Sequence, residues 1–187
     1  MPDQKKLYII AGCNGAGKTT ASKMLLPEIK FINADIIAYQ LNPTNVSEAA
    51  MDAGRIMLNT IDELLYIGES FAFETTLSAK IYKHKIQVAK VLGYQVHLIF
   101  FWLNSVNLAI DRVKTRVIQG GHSIENHIIR RRYKRGIYNL LNIYIPLVDQ
   151  IMVFDNSGKF LEEIAEQNSN NHFLILNFEK WNKLIKS

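Results

Sequence analysis

The chain is 187 residues long, 48% hydrophobic and 21% charged, with a formal net charge of +5. That length suits one domain with a full core, and the composition is ordinary for a globular protein. No apolar stretch approaches a membrane span, no signal-peptide apolar region follows the N-terminal residues, and the single cysteine, Cys13, excludes an internal disulfide or a zinc cluster; a cytoplasmic protein without membrane contact is expected.

Residues 6–11 are a short apolar run that reads as a buried strand. Gly12-Cys13-Asn14-Gly15-Ala16-Gly17-Lys18-Thr19 follows it and fits the phosphate-loop pattern G-x-x-x-x-G-K-[ST] at every specified position. The glycines let the backbone turn its N–H groups toward phosphate oxygens, and a helix N-terminus adds a favourable dipole. Gly12, Asn14, Gly15, Ala16 and Gly17, with Lys18, Thr19 and Thr20, are therefore the candidate nucleotide contacts. Lys18 reaches the outer phosphates, and the Thr19 hydroxyl is placed to ligate magnesium. Cys13 inside this loop reads as a small filler residue.

A first helix runs over residues 19–26 and stops at Pro27. Residues 30–37 read as a second strand with Asp35 near its end, where a carboxylate can take the proton from a hydroxyl attacking the outer phosphate. Helical spacing of apolar residues spans 47–67, with Asn45 and Glu48 as a capping box and Gly68 as the stop. A third strand, 70–76, ends in Glu74-Thr75-Thr76, candidates for binding substrate hydroxyls. A helix over 78–92 leads to residues 94–103, aromatic and β-branched throughout and the clearest strand in the chain.

Residues 105–145 hold eight basic and two acidic side chains, a local +6 that leaves −1 for the rest. The spacing predicts a helix over 105–119, ended by Gly120-Gly121, and a second over 123–144, broken near Gly136. Arg112 and Arg116 are four apart and share a face, as charge-stabilising arginines would. Arg130-Arg131-Arg132 cannot all point one way, so at most one or two can reach a site, and the triplet reads mainly as a solvated face. His122 sits in a turn able to close over phosphates; His84, His97, His127 and His172 show no metal-ligand spacing and read as structural. A fifth strand covers 150–155, where Asp155 reads as a strand terminator. The turn Asn156-Ser157-Gly158, a short helix, an apolar run over 172–178 and a lysine-containing tail complete the chain.

Strands alternating with helices predict an α/β protein of three α/β/α layers around a mostly parallel, five-stranded, kinase-type sheet, with ligands beyond the C-terminal strand ends. One domain, residues 1–187, is expected, with a core at about 6–160 and a basic helical lid at about 105–145. In order, the phosphate loop, Asn33-Ala34-Asp35, Phe73-Glu74-Thr75-Thr76, Phe100-Phe101-Trp102-Leu103, Gly120-Gly121-His122, Arg130-Arg131-Arg132-Tyr133 and Asp155-Asn156-Ser157 resemble the zeta toxin family of phosphate-loop kinases, and most closely its compact branch. The resemblance covers about residues 6–160. It implies ATP with Mg2+ as cofactors, UDP-N-acetylglucosamine or a similar nucleotide sugar as phosphate acceptor, and an antitoxin protein as partner. By motif position it implies phosphate and metal roles for Lys18 and Thr19, the catalytic base for Asp35, a substrate-side acid for Glu74, and lid arginines at Arg112 and at His122 or Arg116.

Two rival readings stay open. A polynucleotide or RNA kinase would use the +6 segment, although that segment lacks the aromatic interleaving of a nucleic-acid platform, so nucleic acid is not the expected partner. A regulatory ATPase would show paired acids at a strand end, and Glu74 has no aspartate beside it.

Overall fold

A computed structural model describes residues 4–167 and 172–187. Five parallel strands, β1 (Lys6–Gly12), β2 (Lys30–Ile32), β3 (Phe71–Thr75), β4 (Gln95–Trp102) and β5 (Gln150–Asp155), are extended by two antiparallel ones, β6 (Glu162–Gln167) and β7 (Phe173–Ile175). The sheet order is β2-β3-β1-β4-β5-β6-β7. The parallel part agrees with the expected kinase-type sheet. The count of five does not, because the chain doubles back after Gly158 and buries Ile164 and Ala165 against the β5 edge. The short helix expected beyond residue 158 comes later, as α7 (Phe178–Ile185), which buries Trp181 and Leu184.

The centre of the sheet is β1 and β4, apolar on both faces because helices cover both. Leu7, Ile9, Ile10, Val96, Leu98 and Phe101 have no solvent exposure. Each such side chain contributes about 1.5–3 kcal/mol relative to an exposed one. This packing fixes the C-terminal strand ends, from which the polar residues project. Among the described residues, no helix is long and apolar enough to cross a membrane.

Four boundaries differ from those expected. First, β2 stops at Ile32, and Asn33 caps α2 (Ala34–Leu41) by accepting from the N–H of Asp35 at 2.7 Å and of Ile36 at 3.3 Å. Asp35 therefore lies in the first turn of a helix rather than at the end of a strand. A short polar side chain that bonds the backbone ahead of it favours the cap over continued strand. By contrast, α3 (Val46–Ile67) has the expected Asn45 cap and left-handed Gly68 stop.

Second, the helix after β3 begins at Tyr82, not near residue 78: α4 (Tyr82–Val91) is preceded by a turn in which Leu77 adopts φ 59°. Third, the second basic helix, α6 (Asn126–Asn139), starts later than residue 123. Fourth, α6 is not broken at Gly136. A Cβ there would lie 2.7 Å from the Thr76 carbonyl oxygen, so the glycine permits close packing on the β3–α4 turn. The irregularity comes one turn later, as a π-helical segment, Leu140–Tyr144.

Candidate active site

The phosphate loop joins β1 to α1 (Lys18–Leu25) and is braced from outside. The Asn156 side-chain amide donates to the Ala16 carbonyl at 2.9 Å and lies so close to Gly17 that a Cβ there would sit 2.6 Å from its nitrogen. Gly17 also has φ 82°, a left-handed conformation that selects glycine. Cys13 is buried, and that burial pushes its thiol up to about 11. It is packing, not a nucleophile.

Lys18 and Thr19 converge on one carboxylate. The Thr19 hydroxyl donates to Glu74 Oε2 at 2.7 Å, the Asn33 side-chain amide donates to the same oxygen at 2.9 Å, and Lys18 Nζ lies 3.5 Å from Glu74 Oε1. Lys18 Nζ also donates to the Cys13 carbonyl at 2.9 Å. Parallel pairing of β3 with β1 produces this convergence by setting Glu74 beside Ile10, just below the loop. Of the residues after Glu74, Thr75 turns its hydroxyl inward to accept from the Leu77 N–H at 3.0 Å, and the Thr76 hydroxyl lies 2.9 Å from that of Ser78.

Three cavities surround this cluster, and Asp35 lines all of them. The phosphate-loop cavity, about 200 Å³, is bounded by Gly15, Lys18, Thr19, Thr20, Arg112 and Arg116 among others. A second, about 230 Å³, lies over the end of β3 and includes Glu74, Thr75, Thr76, Ser78, Tyr82 and Arg132. A wider cleft of about 520 Å³ is also lined by Asp35, between Tyr39, the turn and first residues of α3 at 43–47, and Gly120, Gly121 and His122. The sequence-predicted substrate residues are therefore divided: Thr75 and Thr76 line the cavity over β3, Glu74 lines both that cavity and the phosphate-loop cavity, and His122 lines the wide cleft.

The arginines come from two helices. In α5 (Val106–Ile118), Arg112 donates to the Ser157 carbonyl at 3.4 Å and Arg116 to the His122 carbonyl at 3.2 Å. In α6, the basic triplet splits. Arg130 and Arg131 are exposed, as expected of a solvated face, whereas Arg132 is drawn in and donates to Asn14 Oδ1 of the phosphate loop at 3.3 Å. The sequence alone does not say which of the three arginines turns inward; here it is Arg132. The buried stripe Ile129, Tyr133, Gly136 and Ile137 places Arg132 on the inward edge of the helix.

Asp155, by contrast, faces away from the phosphate loop. It accepts from Ser157 and pairs with Lys180 at 2.7 Å, while Lys180 also reaches Glu162 at 2.7 Å. Burial alone would raise the Asp155 carboxyl; the Lys180 and Ser157 donors outweigh it and hold the group below the usual range. His97 is buried and stacked on Tyr8 with ring centroids 4.9 Å apart, a structural position.

A parallel 2-3-1-4-5 sheet with this loop, lysine and threonine at its centre is a phosphate-loop fold of the kinase type. The zeta toxin family model matches residues 1–186, and the chain belongs to the zeta toxin family. It is 34% identical over 131 residues to an uncharacterised protein of Haemophilus influenzae, a match covering 70% of this chain and 94% of that one. Among solved structures it is similar to a chain of the AvrRxo1-ORF1:ORF2 complex with ATP, with TM-score 0.78 and 16% identity over 97% of this chain and 64% of that one. It is also similar to a chain of the PezAT chromosomal toxin–antitoxin system of Streptococcus pneumoniae, with TM-score 0.60 and 19% identity over 85% and 72%. The present chain thus spans less than two thirds of the AvrRxo1 chain, and likeness at these identities concerns the fold.

Proposed function

We propose that this protein is an ATP-dependent kinase that transfers the γ-phosphate to a hydroxyl of a small molecule. The observation that carries this reading is the placement of Asp35, the one residue that lines the phosphate-loop cavity and both neighbouring cavities. ATP would set its phosphates against the loop N–H groups and Lys18. The acceptor oxygen then bonds to the γ-phosphorus as the bond from phosphorus to the bridging oxygen of ADP breaks, and the hydroxyl proton passes to an Asp35 carboxylate oxygen. Orientation supplies much of the effect, since a hydroxyl held beside the phosphorus reacts without a further entropy cost. Arg112 and Arg116, at the rim of the loop cavity, add positive charge.

Magnesium fits the donor set. The Thr19 hydroxyl and the Glu74 carboxylate are hard oxygen donors side by side next to the loop lysine. Thr19 would ligate the ion, and Glu74 would hold its bound water or the ion itself. When bound, the ion neutralises phosphate charge. In this arrangement Glu74 serves the phosphate side at least as much as the acceptor side.

Membership of the family supports a nucleotide sugar such as UDP-N-acetylglucosamine as the acceptor in this reading, and the 520 Å³ cleft beside Asp35 offers room for one. An antitoxin protein is the partner this reading implies. The decisive experiment incubates the protein with labelled ATP together with, in separate reactions, UDP-N-acetylglucosamine, a metabolite extract or RNA. Label appearing on a sugar hydroxyl is expected. Label released only as inorganic phosphate would overturn the kinase reading, and label on RNA ends would replace the acceptor.

A further inference from the structure

The guanidinium of Arg132 is half-buried, and its hydrogen bond goes to a neutral amide oxygen, Asn14 Oδ1, at 3.3 Å. Among the described residues, no carboxylate lies within ion-pair distance of it. A partly desolvated cation without a counter-ion is costly, and arginine cannot shed its charge to escape that cost. Burial pulls its pKa down while the nearby Asp35 carboxylate pulls it back up. The site therefore holds an uncompensated positive charge beside the phosphate loop and within the field of Asp35, an arrangement that an incoming anion would complete.

The position is also rigid. Tyr133, the next residue, buries its ring and donates to the Leu103 carbonyl at 2.6 Å. One turn on, Gly136 packs against the Thr76 backbone. Asn139 then donates to the Leu77 carbonyl at 2.9 Å, at the one non-glycine residue with positive φ among those described. A left-handed leucine is strained and persists only where its surroundings over-determine it. The stretch of α6 that carries Arg132 is thus locked to the β3–α4 turn, which walls the same cavity.

We infer that Arg132 contacts the phosphoryl group in flight and carries its negative charge, from a position fixed before any ligand binds. This inference rests on the kinase reading above but assigns the task to a residue outside the α5 pair. As the bond from phosphorus to the acceptor oxygen forms and the bond to ADP breaks, charge spreads over the three equatorial oxygens. The guanidinium donates hydrogen bonds to them and neither gains nor loses a proton. Because α6 is fixed, this contribution requires no lid closure.

The test measures binding of ADP, and of ADP with aluminium fluoride and magnesium as a mimic of the group in transfer, to the unsubstituted protein and to Arg132→Ala, Arg132→Lys and Arg131→Ala. Arg132→Ala is expected to bind ADP within about threefold of the unsubstituted protein, yet to lose on the order of 10²-fold in affinity for the fluoroaluminate complex. Arg132→Lys should fall between the two, and Arg131→Ala, at the exposed surface, should match the unsubstituted protein. Folding of each variant is read from its ADP affinity and melting temperature, with Arg132→Lys retaining the charge should the alanine variant unfold. Unsubstituted protein that tightens on fluoroaluminate while the Arg132 variants tighten equally would overturn this inference alone. Unsubstituted protein that binds neither ADP nor the complex would overturn the kinase reading beneath it.

Discussion

The Thr19 hydroxyl donates to the Glu74 carboxylate at 2.7 Å, and the other oxygen of that carboxylate lies 3.5 Å from Lys18 Nζ. One acid thus touches both specified side chains of the phosphate loop. Glu74→Gln keeps the size and removes the charge, so the Thr19 contact can survive while the attraction for a cation does not. The Mg2+ concentration giving half-maximal ATP binding is expected to rise by about 10–100-fold, the scale for outer-shell metal partners. A magnesium titration of ATP binding checks this. An unchanged midpoint with weakened acceptor binding would return Glu74 to the acceptor side.

Lys18 is almost fully buried. Lys18→Ala removes the charge facing the outer phosphates but leaves Glu74 with two donors, Thr19 and Asn33. The carboxylate is therefore not stranded, and the fold should hold. Expected are a loss of ATP affinity on the order of 10-fold or more, about 1.4 kcal/mol, and a melting temperature within a few degrees of the unsubstituted protein. Calorimetric titration and a thermal scan read the two quantities separately.

Gly136→Ala tests the packing of α6 on the β3–α4 turn. The added Cβ would meet the Thr76 carbonyl oxygen at 2.7 Å, and a backbone oxygen cannot swing aside as a side-chain tip can. Overpacking of this kind costs about 1–3 kcal/mol, and a domain of this size loses about 2–4 °C per kcal/mol. A fall of several degrees in melting temperature is expected. No change would mean that the turn yields freely and that the locking of α6 is weak.

These cases show what the sequence could and could not disclose. The phosphate loop and the parallel sheet were legible because each depends on local pattern: a glycine motif, short apolar runs, and helix stops such as Gly68. Asp35 reads from sequence as a strand end because Ile32, Ile36 and Ile37 suggest a strand, whereas the Asn33 cap begins a helix there. Gly136 reads as a helix breaker on propensity, yet it is a contact with a carbonyl 60 residues earlier in the chain, which no local window contains. Arg132 was hidden in a run of three arginines. Only the packing face of α6 separates it from Arg130 and Arg131.

The Asp155–Lys180 pair ties α7 to the end of β5 and gives a pH dependence of stability. The Asp155 pKa is depressed in the fold, so its contribution is present above the unfolded value near 3.9 and is lost as pH falls through the lower folded value. The hydrogen bonds from Lys180 to Asp155 and Glu162 raise its own pKa, so that contribution is present below the unfolded value near 10.4 and is lost as pH rises through the higher folded one. Lys180→Met should therefore destabilise by about 1–3 kcal/mol at neutral pH, and the gap from the unsubstituted protein should close only at the acid and alkaline extremes. Denaturant midpoints across pH measure it; a gap that stays constant down to strong acid would mean that lost packing, not charge, is responsible.

The last prediction concerns Asp35, on which the assignment as a transferase depends. Its carboxylate sits in the first turn of α2, where the Asn33 cap binds its backbone N–H and so fixes where the side chain starts. A hydroxyl is a poor nucleophile at neutral pH, and a carboxylate within hydrogen-bond reach both orients it and accepts its proton as the bond to phosphorus forms. Asp35→Asn preserves shape and the helix cap, leaves Lys18, Thr19 and Glu74 in contact, and removes only the proton acceptor. ATP affinity should therefore stay within a few-fold, while transfer to the acceptor falls by roughly 10²–10⁴-fold, the scale for loss of a general base. The measurement pairs a nucleotide titration with single-turnover transfer under saturating ATP. Transfer at the unsubstituted rate would remove Asp35 from the chemistry. A parallel collapse of ATP binding would instead place its charge with the metal and Glu74, on the phosphate side of the site.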